Sequence, residues 1–208
     1  MTRIEYLSDW SKVHGFPEGN EVSGIARIYL SLNFYLVQPL ILLRIGPNLV
    51  TLLAPLLAGC ALLADTNLAI AALVLGSLMA DGFDGAVALI RKKSTKFGGV
   101  WDGIVDRLTE FLWIASLYHA GIWPAMLLVV WIVAATQEYG RAKLTQIAGA
   151  HLGVVTICER PVRGLLVAFG FLGQIYFARS LELVAVLWLA LQGIALIQFI
   201  VNARRRLR

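Results

Sequence analysis

"MADGFDGAVALIRKKSTKFGGVWDGIVDRLTE", residues Met79–Glu110, gathers Asp81, Asp84, Asp102 and Asp106 in a chain that otherwise avoids charge. A carboxylate near mid-bilayer costs at least about 2.5 kcal/mol on insertion scales. Four together also repel one another unless a cation sits among them. Asp81 and Asp84 are spaced i,i+3, and Asp102 and Asp106 i,i+4, so each pair shares one face of a helix. The connection "RKKSTKF", Arg91–Phe97, folds the first of these helices back on the second, so both pairs can point into one cleft.

Whether that cleft belongs to a membrane protein is decided by the rest of the chain. Of its 208 residues 59% are hydrophobic and 15% charged, with mean hydropathy +0.75, whereas soluble domains carry about 25% charged residues. The expectation is an all-α polytopic membrane protein. Apolar windows of about 20 residues, the length a helix needs to cross a bilayer, fall near 48–65, 68–91, 98–120, 122–146, 161–178 and 182–203. The opening "MTRIEYLSDWSKVHGFPEGNE" is polar and mixed in charge, unlike a cleavable leader. Cys60 and Cys158 show no metal spacing and read as free thiols.

Residues 25–44 are greasy but hold Asn33, Gln38 and Pro39. Charge decides how to treat them. With 25–44 lying along the interface and six helices spanning, all of the 18 Lys and Arg except Arg107 and Arg179 fall on the side of the N-terminus. A seventh span would move Arg3 and Lys12 across and spoil the asymmetry. The positive-inside rule therefore predicts six transmembrane helices with both termini cytoplasmic, in a cell (plasma or inner) membrane. The organisation is an N-terminal cytoplasmic segment 1–24, a membrane domain 25–203 opened by an amphipathic interfacial helix 25–44, and a basic tail 204–208. Net charge +5 fits anionic headgroups rather than nucleic acid.

Four hard oxygen donors suit Mg²⁺ or Mn²⁺, one ion or two, and suit zinc poorly because no His or Cys is near. Gly82, Gly85, Gly98, Gly99 and Gly103 leave room for close approach of a ligand to the helix backbones. The plain alternative, pairing of the aspartates with Lys and Arg at headgroup level, accounts for one such residue better than for four in matched pairs.

The run Asp81-x2-Asp84-Gly85-x2-Ala88-x9-Gly98-x3-Asp102-x3-Asp106 resembles the signature of the CDP-alcohol phosphotransferase family, D-x2-D-G-x2-A-R-x8-G-x3-D-x3-D. "GPNLVT", Gly46–Thr51, is similar to the family's entry into its first span. The resemblance covers roughly residues 25–203 and departs at Leu89, where the family has an arginine that helps hold the donor's phosphates. Arg91, Lys92, Lys93 and Lys96 lie within a turn or two as substitutes, Arg91 first. The resemblance implies a CDP-linked lipid donor such as CDP-diacylglycerol, an alcohol acceptor, CMP as leaving product and a homodimer. It implies that Asp81, Asp84 and Asp102 bind metal and diphosphate, and that Asp106 is the metal-adjacent general base. Gly85, Ala88 and Gly98 would contact the nucleotide, with Asn48 and Thr51 bordering the same pocket; for Asn48 a plain helix-start role is an equal alternative.

"EYGRAKLTQIAGAHLGVVTICERPVR", residues 138–163, bears on the acceptor. Arg141, Lys143, Arg160 and Arg163 would suit a phosphorylated polyol, against the plain reading of a positive-inside loop. Tyr139-x-Arg141-x-Lys143 with Glu159-Arg160-x2-Arg163 resembles the phosphatidylinositol-phosphate synthase branch, with its first two cations swapped. Inositol 1-phosphate is favoured narrowly over glycerol 3-phosphate. Glu110 and Arg107 read as a structural pair, and His14, His119 and His151 as surface or loop residues. Trp101 reads as a packing residue, and Trp113, Trp123 and Trp131 as interfacial or lipid-facing. A divalent-cation transporter is the rival from another class, but acids are few beyond Glu110 and no inverted repeat of the aspartate pairs is visible. A catalytically inactive lipid-binding protein is the third reading, motivated by Leu89.

Overall fold

The structure, a computed structural model, describes residues 1–13, 22–148 and 155–208. His14 and His151 lie outside the described residues. All regular structure among the described residues is helical: α1 (Arg3–Val13), α2 (Gly24–Leu36), α3 (Gln38–Leu42), α4 (Pro47–Val50), α5 (Leu53–Ala61), α6 (Asn67–Ile90), α7 (Lys96–His119), α8 (Pro124–Ala148), α9 (Arg160–Gln174) and α10 (Ser180–Arg206). Helices fall where apolar windows were expected, and the segment 25–44 is helical but breaks at Val37 ahead of Pro39.

Helix α1 was not anticipated. Thr2 and Glu5 cap it reciprocally: the Thr2 amide donates to Glu5 Oε2 at 2.7 Å and the Glu5 amide to Thr2 Oγ1 at 3.3 Å. This is a capping box, legible as Thr2-x-x-Glu5. Helix α1 packs on α2.

The chain divides into two compact units, residues 1–54 with 79–106, and residues 55–78 with 107–208. In the first, Tyr6, Leu7, Leu30, Phe34, Val37, Val50, Ala86 and Val87 form the core. In the second, Trp113, Leu117, Phe171 and Trp188 anchor the core, and α10 packs on α8 and α9. Trp113 corrects a lipid-facing expectation. It is fully buried, donates to Ser77 Oγ at 2.7 Å and lies under the Arg160 guanidinium. An indole N–H accepted by a buried hydroxyl is better placed inside than at a belt. Trp123 is exposed as anticipated.

Helices α6 and α10 are each long and apolar enough to cross a membrane. The stretches Ala26–Leu42 and Pro47–Ala61, bent by 110° at their break, would make a third if each bent pair is one span.

Candidate functional site

The reversal between α6 and α7 builds the site. Lys92 takes a left-handed conformation (φ 52°), and the Lys93 amide reaches back to the Ala88 carbonyl at 2.8 Å. That six-to-one bond closes a helix C-terminus, although Lys bears the steric cost that glycine would avoid. Two residues on, Thr95 Oγ1 accepts the Gly98 amide at 2.9 Å, an N-cap for α7. A reversal this short sets the two aspartate-bearing turns side by side.

Asp81, Asp102 and Asp106 each offer a carboxylate oxygen within 4.8 Å of the others, a spacing that could hold a metal ion. The group consists of carboxylates alone, so its donor chemistry fits a hard divalent cation. Asp84 lies outside that triad. It is buried, with Oδ1 accepting the Gly85 amide, and it lines a cavity of about 230 Å³ together with Asp102.

Asn48, Thr51, Gly85, Ala88 and Gly98 also line that cavity, so five residues named from sequence meet in one place. Gly98 is tight: a Cβ there would stand 3.1 Å from Thr95 Oγ1 and 3.3 Å from Asn48 Oδ1. The Asn48 carbonyl accepts the Trp101 indole at 3.1 Å, which pins α4 to α7. Trp101, stacked on Phe97, is the packing residue anticipated. Arg91 does not line the cavity. Its guanidinium donates to the Ile45 carbonyl at 2.7 Å, tying two chain reversals together. The cation that does line the cavity is Lys93, with Ser94 and Thr95 beside it. Sequence spacing could not pick Lys93 from its basic neighbours, because a left-handed turn redirects its side chain.

In the second unit three arginines and three glutamates alternate. Arg163, fully buried, donates to Glu110 and Glu138. Arg107 lies 3.2 Å from Glu110 and 3.9 Å from Glu138. Arg141 is 3.5 Å from Glu138 and forks onto both oxygens of Glu159 at 2.6 and 2.8 Å. The Arg107–Glu110 pair was anticipated; Glu138 was not singled out, and its part in the network depends on a partner far along the chain. Burial alone would raise the Glu159 carboxyl. The Arg141 fork and hydrogen bonds from the Thr156 amide and hydroxyl outweigh it and hold the group below the ordinary value of 4.5. Burial pushes the neighbouring Cys158 thiol up to about 11. Arg160 is buried against Trp113, and Lys143 lies 6.0 Å from the Tyr139 ring with Gln146 as a hydrogen-bond partner. Arg141 and Arg163, both candidate acceptor cations, are thus held by carboxylates.

The family model of the CDP-alcohol phosphatidyltransferases matches residues 44–191, and the chain belongs to that family. Among curated relatives it is 33% identical over 123 residues to an archaetidylinositol phosphate synthase of Aeropyrum pernix. That match takes in 58% of this chain and 59% of the relative, so it spans about three-fifths of the relative's length. The fold is similar to that of Mycobacterium tuberculosis phosphatidylinositol phosphate synthase solved with CDP-DAG bound, with TM-score 0.71 and 20% identity over 83% of this chain and 93% of that one. The same enzyme with manganese and citrate gives TM-score 0.70 and 21% identity over 82% and 88%.

Proposed function

We propose that this protein transfers a phosphatidyl-type group from a CDP-linked lipid, CDP-diacylglycerol in class, to the hydroxyl of a phosphorylated polyol, releasing CMP. Inositol 1-phosphate is the favoured acceptor, in keeping with the curated relative's name and the Glu159-Arg160-x2-Arg163 pattern. The observation that carries the reading is the triad of carboxylate oxygens within 4.8 Å in a chain whose family model spans the same residues.

Attack on a diphosphate requires its charge to be neutralised and the nucleophile deprotonated. A divalent ion held by Asp81, Asp102 and Asp106, with Asp84 on the cavity wall, would supply the first. Asp106 takes the acceptor's hydroxyl proton. The cytidine end enters the cavity past Gly85, Ala88 and Gly98, where missing side-chain bulk lets it approach the backbone. Lys93 supplies positive charge to the phosphates, replacing the arginine absent at position 89. Arg141, Lys143 and Arg160 bind the acceptor's phosphate, while Arg163, fully buried on Glu110 and Glu138, orders the network around them without touching the ligand.

In the same reading the chain spans the membrane six times, its termini and site face the cytoplasm, residues 25–44 lie at the interface, and two copies associate. The domain division is the one set out from the sequence: 1–24, 25–203 and 204–208. The test is release of labelled CMP from CDP-diacylglycerol with Mg²⁺ in detergent, across inositol 1-phosphate, glycerol 3-phosphate and unphosphorylated inositol. CMP release that depends on inositol 1-phosphate supports the proposal; release with none of the three sinks it.

A further inference from the structure

We propose that Asn33 forms the subsite that reads an ester carbonyl of the donor's lipid backbone. This rests on the CDP-lipid donor of the preceding section and adds the part of that donor which a side chain outside the aspartate motif contacts.

Asn33 sits on α2 and is 1% exposed, yet neither its amide nitrogen nor its amide oxygen has a hydrogen-bond partner. Leaving a buried polar group unsatisfied is unfavourable, by about 1–3 kcal/mol. A buried amide of this kind is therefore a sign of a partner that arrives from outside the chain. The amide lines a cavity of about 360 Å³ with two kinds of wall. Asp81, Asp84 and Asp102 supply the acidic part, while Tyr6, Trp10 and Leu30 supply an aromatic and apolar part.

Gly82, next to Asp81, shows how closely the amide approaches α6. A Cβ at position 82 would lie 2.6 Å from Asn33 Nδ2, and closer still to the Tyr29 hydroxyl. Only a residue without a side chain lets these two polar groups lie against the α6 backbone at the level of the carboxylate triad.

A ligand that fills both parts of this cavity is anionic at one end and apolar at the other. Outward from the diphosphate of a CDP-lipid come the glycerol carbons, then the linkage oxygens, then hydrocarbon. The linkage oxygens are the last polar atoms before the tails, and Asn33 is the amide at the corresponding boundary. Its N–H donates to a carbonyl, which an ester has and an ether lacks.

The experiment uses the full-length protein in detergent and follows CMP release from CDP-diacylglycerol and from its diether analogue, for the wild type and for Asn33→Leu, close in volume. The wild type is expected to show a KM about tenfold lower for the diester, the effect of about one neutral hydrogen bond. Asn33→Leu is expected to raise the diester KM about tenfold, leave the diether KM within about twofold and leave kcat unchanged. Its melting temperature should equal or exceed that of the wild type, because the amide has no partner in the protein to lose. Equal loss with both donors, a change in acceptor KM instead, or a lower melting temperature would overturn the subsite alone. Absence of CMP from the wild type with either donor overturns the donor reading and the subsite with it.

Discussion

Asp106 and Lys93 carry the sharpest predictions at the scale of single residues. Asp106→Asn keeps the size of the side chain and removes the base. It should lower kcat for CMP release by about 10²-fold or more, the usual worth of a positioned general base, and raise the Mg²⁺ concentration that gives half the maximal rate, because the same carboxylate belongs to the metal triad; an unchanged kcat would remove Asp106 from the chemistry. Lys93→Ala should raise the donor KM about tenfold, since a charge-assisted contact to phosphate is stronger than a neutral one. Arg91→Ala should instead lower the melting temperature and spare KM, because its guanidinium holds the Ile45 carbonyl. The reverse pattern would return the phosphate role to Arg91. The aspartates were legible in the sequence because helical spacing alone puts each pair on one face. Lys93 was not, since its direction comes from a turn at Lys92 with φ 52°. Asn33 stood out only as a polar break in a greasy segment; its meaning depends on Gly82, 49 positions away in the chain.

At the scale of helices, the ends that meet are held by electrostatics as much as by apolar packing. Glu159 precedes α9 and accepts the Arg141 fork from α8, with Thr156 donating twice more. Its carboxyl lies below the ordinary 4.5 in the folded chain, despite burial that acts the other way. A depressed folded pKa contributes stability that is complete above the unfolded value and is lost as pH falls through the folded one. Glu159→Gln should therefore lower the melting temperature at neutral pH, and the gap to the wild type should narrow below about pH 4.5. Thermal unfolding in detergent from pH 7 to 3 measures it; a gap of constant size would deny Glu159 that contribution. The helices themselves were foreseeable from apolar windows, and the breaks near Asp65, Gly121 and Ser180 from their punctuation. The pairing of Glu159 with Arg141 was not, because the two stand 18 positions apart in the chain and no helical spacing links them.

Across the whole molecule, the question is why α7 and α8 do not stand out as membrane helices when α6 and α10 do. Each carries its charge at one end: Asp102, Asp106, Arg107 and Glu110 in the first part of α7, and Glu138, Arg141 and Lys143 in the last part of α8. A helix of 24 residues rises about 36 Å, only about 6 Å more than a hydrocarbon core of about 30 Å. About four residues can therefore reach the headgroups, and Arg107 and Glu110, further along α7, depend on pairing instead. Arg163 and Glu110 are buried, and the three arginines and three glutamates of that network balance in charge. Paired in this way, they cost far less to bring near lipid than the same groups alone. Long helices that look too polar are then compatible with six spans and with the basic residues gathered on one side. Single cysteines test the arrangement in a chain whose exposed Cys60 is replaced by alanine, leaving Cys158 buried. Thr66→Cys, between α5 and α6, should react with an impermeant maleimide on intact cells, whereas Ser94→Cys, between α6 and α7, should react only in inside-out vesicles. Labelling of both positions from the same side would mean that α6 does not cross, and the six-span arrangement would fall.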